Sequence, residues 1–354
     1  MNKILEYIIS LKLKTAKLTR KQSGFTLIEL LVALAISSII ISSLLGFMVN
    51  IITTERREQA KTNSELEIKA AIDYIARDLR QAVYIYDNDS LTTDHSDTGD
   101  SGIRDQIPPF SPAPGCGSDS TCRPVLVFWK RELKEHSWPI PDESATDCTA
   151  SSEPCDDTFV YSLVAYYIVK NDGPTWSETA RIARFQIEDG VDPNNDGTYV
   201  NEKLEPDPGF ATFNLSGTDT LTEKMNQWTK AAEAYTQQAL VLVDFIDQST
   251  DTAEIPLPNS AMTTTEYDEF CDDRMSETAQ LVPDYTEEGF PDVLKTGSFY
   301  ACIDSDSNQA RIYIRGNALA RFKSIDNAEY KSSLSQFFPT TSVRVQGSDL
   351  LGAN

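Results

Sequence analysis

From Phe25 to Val49 the chain has no Lys, Arg, Asp or Pro, and Glu29 is the single charged residue. At 1.5 Å per residue this run makes a helix of about 37 Å, enough to cross a bilayer core of about 30 Å. Lipid offers the backbone no hydrogen-bond partners, so a lone spanning segment must be a helix that satisfies its own N–H and C=O groups. Lys3, Lys12, Lys14, Lys17, Arg20 and Lys21 precede the run, opposed only by Glu6. Arg56 and Arg57 follow it, flanked by Glu55 and Glu58. That asymmetry holds the N-terminus in the cytoplasm and sends the rest of the chain across the membrane.

Three readings compete for the run. A secretory signal has an apolar core of about 7–15 residues followed by a small-residue cleavage site. Here the core is longer, and Ser42, Ser43 and Gly46 lie inside it. A plain membrane anchor fits the length but leaves Glu29 unexplained, because a carboxylate in an apolar span is costly. In the third reading a cut after Gly24 makes Phe25 the new amino terminus. Glu29 then lies about one turn from a positive amine. Gly24 has no side chain to obstruct an enzyme, although a glycine before a helix can also be a simple loop residue. Glu29 would also be favoured by the positive end of the helix dipole.

The segment KQSGFTLIELLVALAI, residues 21–36, closely resembles the class III signal of type IV pilins and pseudopilins. The resemblance implies that a prepilin peptidase cuts between Gly24 and Phe25 and methylates the new amino group. It gives Glu29 an assembly role, attracting the amine of a neighbouring subunit as a new subunit leaves the bilayer. The implied partners are other pilins or pseudopilins, an inner-membrane platform protein and, indirectly, an assembly ATPase. The implied location is the inner (cytoplasmic) membrane, crossed once, with an extracytoplasmic head. A leader of residues 1–24 is longer than in many members.

No Gly or Pro interrupts the chain from Ile52 to Asp87. Ile68, Ile72, Ile75, Leu79 and Val83 recur at helical spacing, with Glu67, Lys69, Asp73, Arg77, Asp78 and Arg80 assigned to the polar face. The spacing predicts one helix from Phe25 to about Val83, or residues 25–84 as a domain with its membrane part at 25–49. Residues 85–354 form the expected head, with acidic insertions near 87–121 and 134–157. Strands are expected at 123–133, 158–170, 178–190, 238–248, 297–304, 309–318 and 340–348, with a short helix at 221–236. The expected class is α+β: a long N-terminal helix packed on a mainly antiparallel sheet with long polar loops.

This order resembles the W-type minor pilins and the J-type minor pseudopilins. Residues 55–87 are more narrowly similar to pseudopilins of cyanobacterial hormogonium polysaccharide secretion, which implies a role in polysaccharide export and gliding. The alternatives are a minor type IV pilin, a type II protein-secretion pseudopilin, and a carbohydrate-binding or adhesive module at a filament tip. A bulky head suits a minor subunit better than a repeated one.

The formal net charge is -23. The first 24 residues contribute +5, leaving -28 on the remainder. So acidic a surface repels phosphates, and no nucleic-acid partner is expected. Cys116, Cys122, Cys148, Cys155, Cys271 and Cys302 all fall on the exported side, where disulfides persist. Six cysteines allow fifteen pairings; the scheme with the shortest loops is Cys116–Cys122, Cys148–Cys155 and Cys271–Cys302. Its third pair resembles the C-terminal disulfide loop of many pilins. Zinc is disfavoured, because no C-x2-C pair exists and His95 and His136 are the only histidines.

Asp192, Asn194 and Asp196 match the first places of a calcium loop, with Gly197 at the sixth. Lys203 occupies the twelfth place, so a full EF-hand is excluded; a calcium-stabilised loop and an Asx-rich turn both stay open. No other cofactor is expected. No catalytic constellation emerges, so the chain is not expected to be an enzyme. Trp129, Trp138, Trp176 and Trp228 could stack on sugars or pack in the core.

Overall fold

The computed structural model describes residues 24–96, 101–140, 148–150, 153–171, 173 and 175–348. The expected leader, apart from Gly24, lies outside the described residues, as do parts of both acidic insertions. The chain divides into two compact units, Met1–Glu55 and Arg56–Asn354.

Helix α1 is Leu27–Leu79. In the first unit every described side chain is exposed, including the apolar series from Phe25 to Ile52. The hydroxyls there are satisfied within the helix: Ser42 Oγ donates to the Ser38 carbonyl at 2.7 Å and Ser43 Oγ to the Ile40 carbonyl at 2.8 Å. Such back-bonding lets polar residues sit in an apolar span.

In the second unit α1 buries one stripe: Ala60, Ser64, Ile68, Ala71, Ile72, Ile75, Ala76, Asp78 and Leu79. Two expectations need correction. The helix stops at Leu79, not Val83, and Ala82–Ile85 forms strand β1. Val83, Tyr84 and Ile85 are buried and β-favouring, and Tyr84 and Ile85 pair with Trp129 and Phe128. Sheet pairing and burial therefore outweigh the helical spacing that carries on to Val83. Asp78, assigned to the polar face, is buried against the sheet.

The first sheet has five antiparallel strands in sequential order: β1, β2 (Cys122–Pro139), β3 (Cys155–Val169), β4 (Ala180–Glu188) and β5 (Leu240–Ile246). Successive side chains of a strand point to opposite faces. Lys130 points to α1 and reaches Asp78. Trp129 points the other way, edge-on to Phe210, Phe213 and Trp228. Both faces of β2 are thus covered, which explains its uninterrupted buried run from Cys122 to Lys130.

The acidic segment 87–121 proves less loop-like than expected. Asn88–Thr92 forms helix α2, capped by Asp87, and Ile103 and Ile107 enter the main core. The described residues of the segment near 134–157 are mainly strand ends, because β2 runs to Pro139 and β3 begins at Cys155. The expected helix at 221–236 is short: α3 is Leu221–Asn226, closed by a reciprocal Thr220–Glu223 capping box.

The second sheet is antiparallel, ordered β6 (Gln280–Val282), β7 (Phe299–Asp304), β8 (Gln309–Arg315) and β9 (Thr340–Gln346). Helix α4, Thr264–Asp268, precedes it. The two sheets meet at an Ile246–Gly316 bridge and at the Ala82 carbonyl, which accepts from Ser348 N and Asn308 Nδ2. Arg315 donates to buried Asp247 at 2.7 Å beside the bridge. At Gly316 a Cβ would lie 2.7 Å from Ser64 Oγ and 3.0 Å from Ile68 Cγ2. The absence of a side chain there lets α1 approach the sheet.

Candidate processing and assembly segment

Gly24, Phe25 and Thr26 precede α1 without helical structure and are exposed. A Cβ on Gly24 would meet nothing within 4 Å. The Phe25 ring is 86% exposed. Among the described residues, the Gly24–Phe25 peptide bond is neither held in a helix nor covered by side chains.

Thr26 and Glu29 form a reciprocal cap. Glu29 N donates to Thr26 Oγ1 at 3.3 Å. Thr26 N donates to Glu29 Oε2 at 2.9 Å, and Thr26 Oγ1 donates to the same oxygen at 3.0 Å. The first amides of a helix lack intrahelical acceptors, and this box supplies one and returns the favour to the cap residue. The apolar pattern singles out Glu29 and not Thr26, whose own signal is a Thr three residues before a Glu at the start of an apolar run. Glu29 thus has a local partner within its own chain.

The other candidates lie in the second unit. The cysteines are joined as Cys116–Cys122, Cys148–Cys155 and Cys271–Cys302. The last ties the turn after α4 to β7. At the calcium-like loop Asp192 accepts from Gly197 N at 2.7 Å and Asn194 N at 3.2 Å, while Asp196 accepts from Thr198 N at 2.9 Å. Those bonds make an Asx-rich turn. Among the described residues no three His, Cys, Asp or Glu side chains gather to hold a metal.

His136 lies in β2 at positive φ, with Nε2 2.9 Å from the Ala150 carbonyl oxygen. His95 Nδ1 is 3.4 Å from Ser101 Oγ, but that buried hydroxyl donates to the Asn226 carbonyl at 3.0 Å. Both contacts tie loops together. Trp129 and Trp228 are core residues, Trp138 is half-buried and Trp176 is exposed.

Asp78 is the buried charge centre of the head. Arg184 Nε donates to it at 2.7 Å, Tyr166 Oη at 2.6 Å, and Lys130 Nζ lies at 3.3 Å. Burial pushes its pKa up, but the bonds and charge of Arg184, the Tyr166 bond and the Lys130 charge outweigh it, leaving the carboxyl below its usual range.

Residues 19–45 match the family model of the prokaryotic N-terminal methylation motif. No curated protein and no solved structure matches the chain. Among the described residues one helix, α1, is long and apolar enough to cross a membrane, and a β-sheet domain follows it. The arrangement is that of a single-pass membrane protein with an extracytoplasmic head. The chain carries a prepilin-type N-terminal methylation motif, and its long apolar helix followed by an antiparallel head is a pilin-like fold.

Proposed function

We propose that this chain is a minor pseudopilin of a type IV pilus-like, type II secretion-like machine that supports polysaccharide secretion and gliding motility. In this reading residues 1–24 are a leader, 25–49 the membrane segment and 85–354 the exported head. The observation that carries it is the exposed Gly24–Phe25 bond directly ahead of a capped helix whose side chains from Phe25 to Ile52 are all exposed. A prepilin peptidase would add water across that bond, leaving a carboxylate on Gly24 and an amine on Phe25, which it then methylates.

The new ammonium needs a counter-charge in a low-dielectric setting, and Glu29 stands about one helical turn away. Pairing with a neighbour's amine would draw Glu29 out of its bonds to Thr26 and set the register between subunits. Other pilins or pseudopilins, a platform protein and an assembly ATPase complete the machine. A head of this size supports a minor position, and the likeness of residues 55–87 to polysaccharide-secretion pseudopilins supports the cargo.

Deleting the gene tests the cargo: exported polysaccharide should fall sharply and return with the intact gene. Normal export would instead favour a minor type IV pilin or a type II secretion pseudopilin. The Gly24→Ala chain should keep its precursor mass; a normal mature mass would overturn cleavage at this bond.

A further inference from the structure

Four strand edges bound the two sheets, and three of them are blunted. β1 has four residues, and its Ala82 carbonyl is taken by Ser348 N and Asn308 Nδ2. β5 pairs with β4 through two register shifts, and β6 has three residues. Short strands and bulges keep a sheet edge from pairing with another chain. β9 has neither protection. Its seven residues, Thr340–Gln346, pair with β8 in unbroken register and include no Pro. Thr341, Val343 and Val345 favour an extended chain.

Two bonds set the phase of that ladder. Gly316 N donates to the Pro339 carbonyl and Gly347 N to the Asn308 carbonyl, both at 2.9 Å. Hydrogen-bonded pairs recur at every second residue of an antiparallel ladder, so Thr341, Val343 and Val345 bond inward to β8. Thr340, Ser342, Arg344 and Gln346 turn their N–H and C=O groups away from the sheet, and these four are the exposed residues of the strand. Among the described residues no other backbone or side-chain group bonds to that outer edge.

Charge singles out the same strand independently. Arg311 and Arg344 stand directly opposite each other on β8 and β9. Like charges so placed repel. Arg344 Nε and Nη2 donate to Gln309 Oε1 at 3.0 and 2.7 Å, and Arg311 Nη1 donates to the Arg274 carbonyl at 3.0 Å. Neutral oxygens thus orient both guanidinium groups without cancelling their charge. Among the described residues no carboxylate pairs with Arg274, Arg311 or Arg344. Residues 309–347 hold six basic and two acidic side chains, a net of +4 in a chain of net -23.

We propose that the free edge of β9 takes an added strand from an acidic, extended segment of a partner polypeptide. The outward main-chain groups of β9 supply the bonds, and side chains supply the choice of partner. Residues opposite Ser342 and Arg344 lie on the arginines' face, so every second residue of the segment is Asp or Glu. A second copy is the poorer occupant. Pairing β9 with another β9 sets one Arg344 near the other and brings two acidic heads together.

The test uses the full chain in uncharged detergent and a fluorescent peptide of seven alternating Glu and Val residues, the length of β9, followed by anisotropy. Binding should weaken as salt rises, and a peptide with Gln for Glu should bind about tenfold more weakly. In an antiparallel strand the Glu amides face β9 and the Val amides face away. N-methylation of the Glu amides should therefore abolish binding, and N-methylation of the Val amides should leave it within about twofold. The reverse pattern would report a parallel strand on the same edge and supports the proposal equally. Loss with both methylated peptides, or with neither, overturns it. In the chain, Ser342→Pro removes an outward N–H and no ladder bond, a change that edge strands tolerate. It should block binding with unchanged circular dichroism; should the fold be lost, the methylated peptides decide alone. R311Q/R344Q should weaken binding about tenfold, whereas K203Q/K224Q removes equal charge elsewhere and should stay within about twofold. Equal weakening by both would reduce the effect to net charge and overturn the proposal. Displacement of the peptide by a polyuronate that the Ser342→Pro chain still binds would assign the arginines to a sugar chain instead. Self-association of the parent that Ser342→Pro abolishes would assign the edge to a second copy, and either result overturns the proposal.

Discussion

At the scale of single residues, Asp78 shows how a buried charge can be held where the helix opposes it. It lies in the last turn of α1, near the negative end of the helix dipole. Arg184, Tyr166 and Lys130 compensate. The carboxyl's pKa is lower folded than unfolded, where it is about 3.9. Its stabilisation is therefore complete above that ordinary value and is lost as pH falls through the folded pKa. Asp78→Asn should cost up to about 3 kcal/mol at pH 7, because half-buried Arg184 loses its carboxylate and buried Lys130 is left with Glu132 alone, at 3.3 Å. The gap from the parent, measured by urea unfolding, should shrink below about pH 4. A gap that stays constant with pH would place the effect in packing and not in charge. Glu29 and Thr26 separate in a similar way. Thr26→Val should weaken the helix cap by about 1 kcal/mol yet leave the charge for assembly. Glu29→Ala should be processed to normal mature mass but enter the filament poorly; unchanged incorporation would show that the charge is dispensable. Sequence alone exposes Glu29, since a charge in an apolar run stands out. It cannot expose the setting of Asp78, whose partners lie 52 to 106 positions away.

At the scale of elements, the long helix, the antiparallel head and most of its strands are legible because their apolar patterns are long and repeat over many residues. The errors lie where two patterns overlap. Val83 continues the four-residue spacing of Ile75 and Leu79, yet Ala82–Ile85 is a strand that completes an edge of the first sheet. Strand β6 has three residues, too few for an alternation to register. The acidic insertion after residue 87 hides Ile103 and Ile107 among polar neighbours, and only the fold brings them to the core. Gly316 illustrates the same limit: its sequence pattern places it inside an expected strand at 309–318, but the strand ends at Arg315 and the glycine leaves space for Ser64 and Ile68 of α1. Gly316→Val should force α1 away from the sheet and cost about 1–3 kcal/mol, or more if the Ile246 bridge is lost. Thermal unfolding should show the loss. A Tm equal to the parent's would mean that the helix shifts without cost and that close approach is unimportant.

At the scale of the whole molecule, the chain joins two units with different solvents. The apolar side chains from Phe25 to Ile52 are all exposed, whereas the buried stripe of α1 begins at Ala60. The boundary between the units falls at Glu55 and Arg56, so division there cuts few apolar contacts within the head. A chain beginning at Arg56 keeps Ala60, Ser64, Ile68 and the rest of the stripe, along with both sheets. It loses a surface that water solvates poorly and keeps an acidic one that favours solubility. It should therefore be monomeric without detergent, with a Tm within a few degrees of the full chain's second unit, allowing for fraying at the new helix start. The full chain should need detergent or lipid to remain dispersed. Sedimentation of both forms with and without detergent tests this division. If the shorter chain aggregates while keeping its circular dichroism, the head carries an apolar docking surface of its own. If it unfolds, the first unit contributes to the stability of the second, and the two cannot be treated as separate solutions to separate solvents.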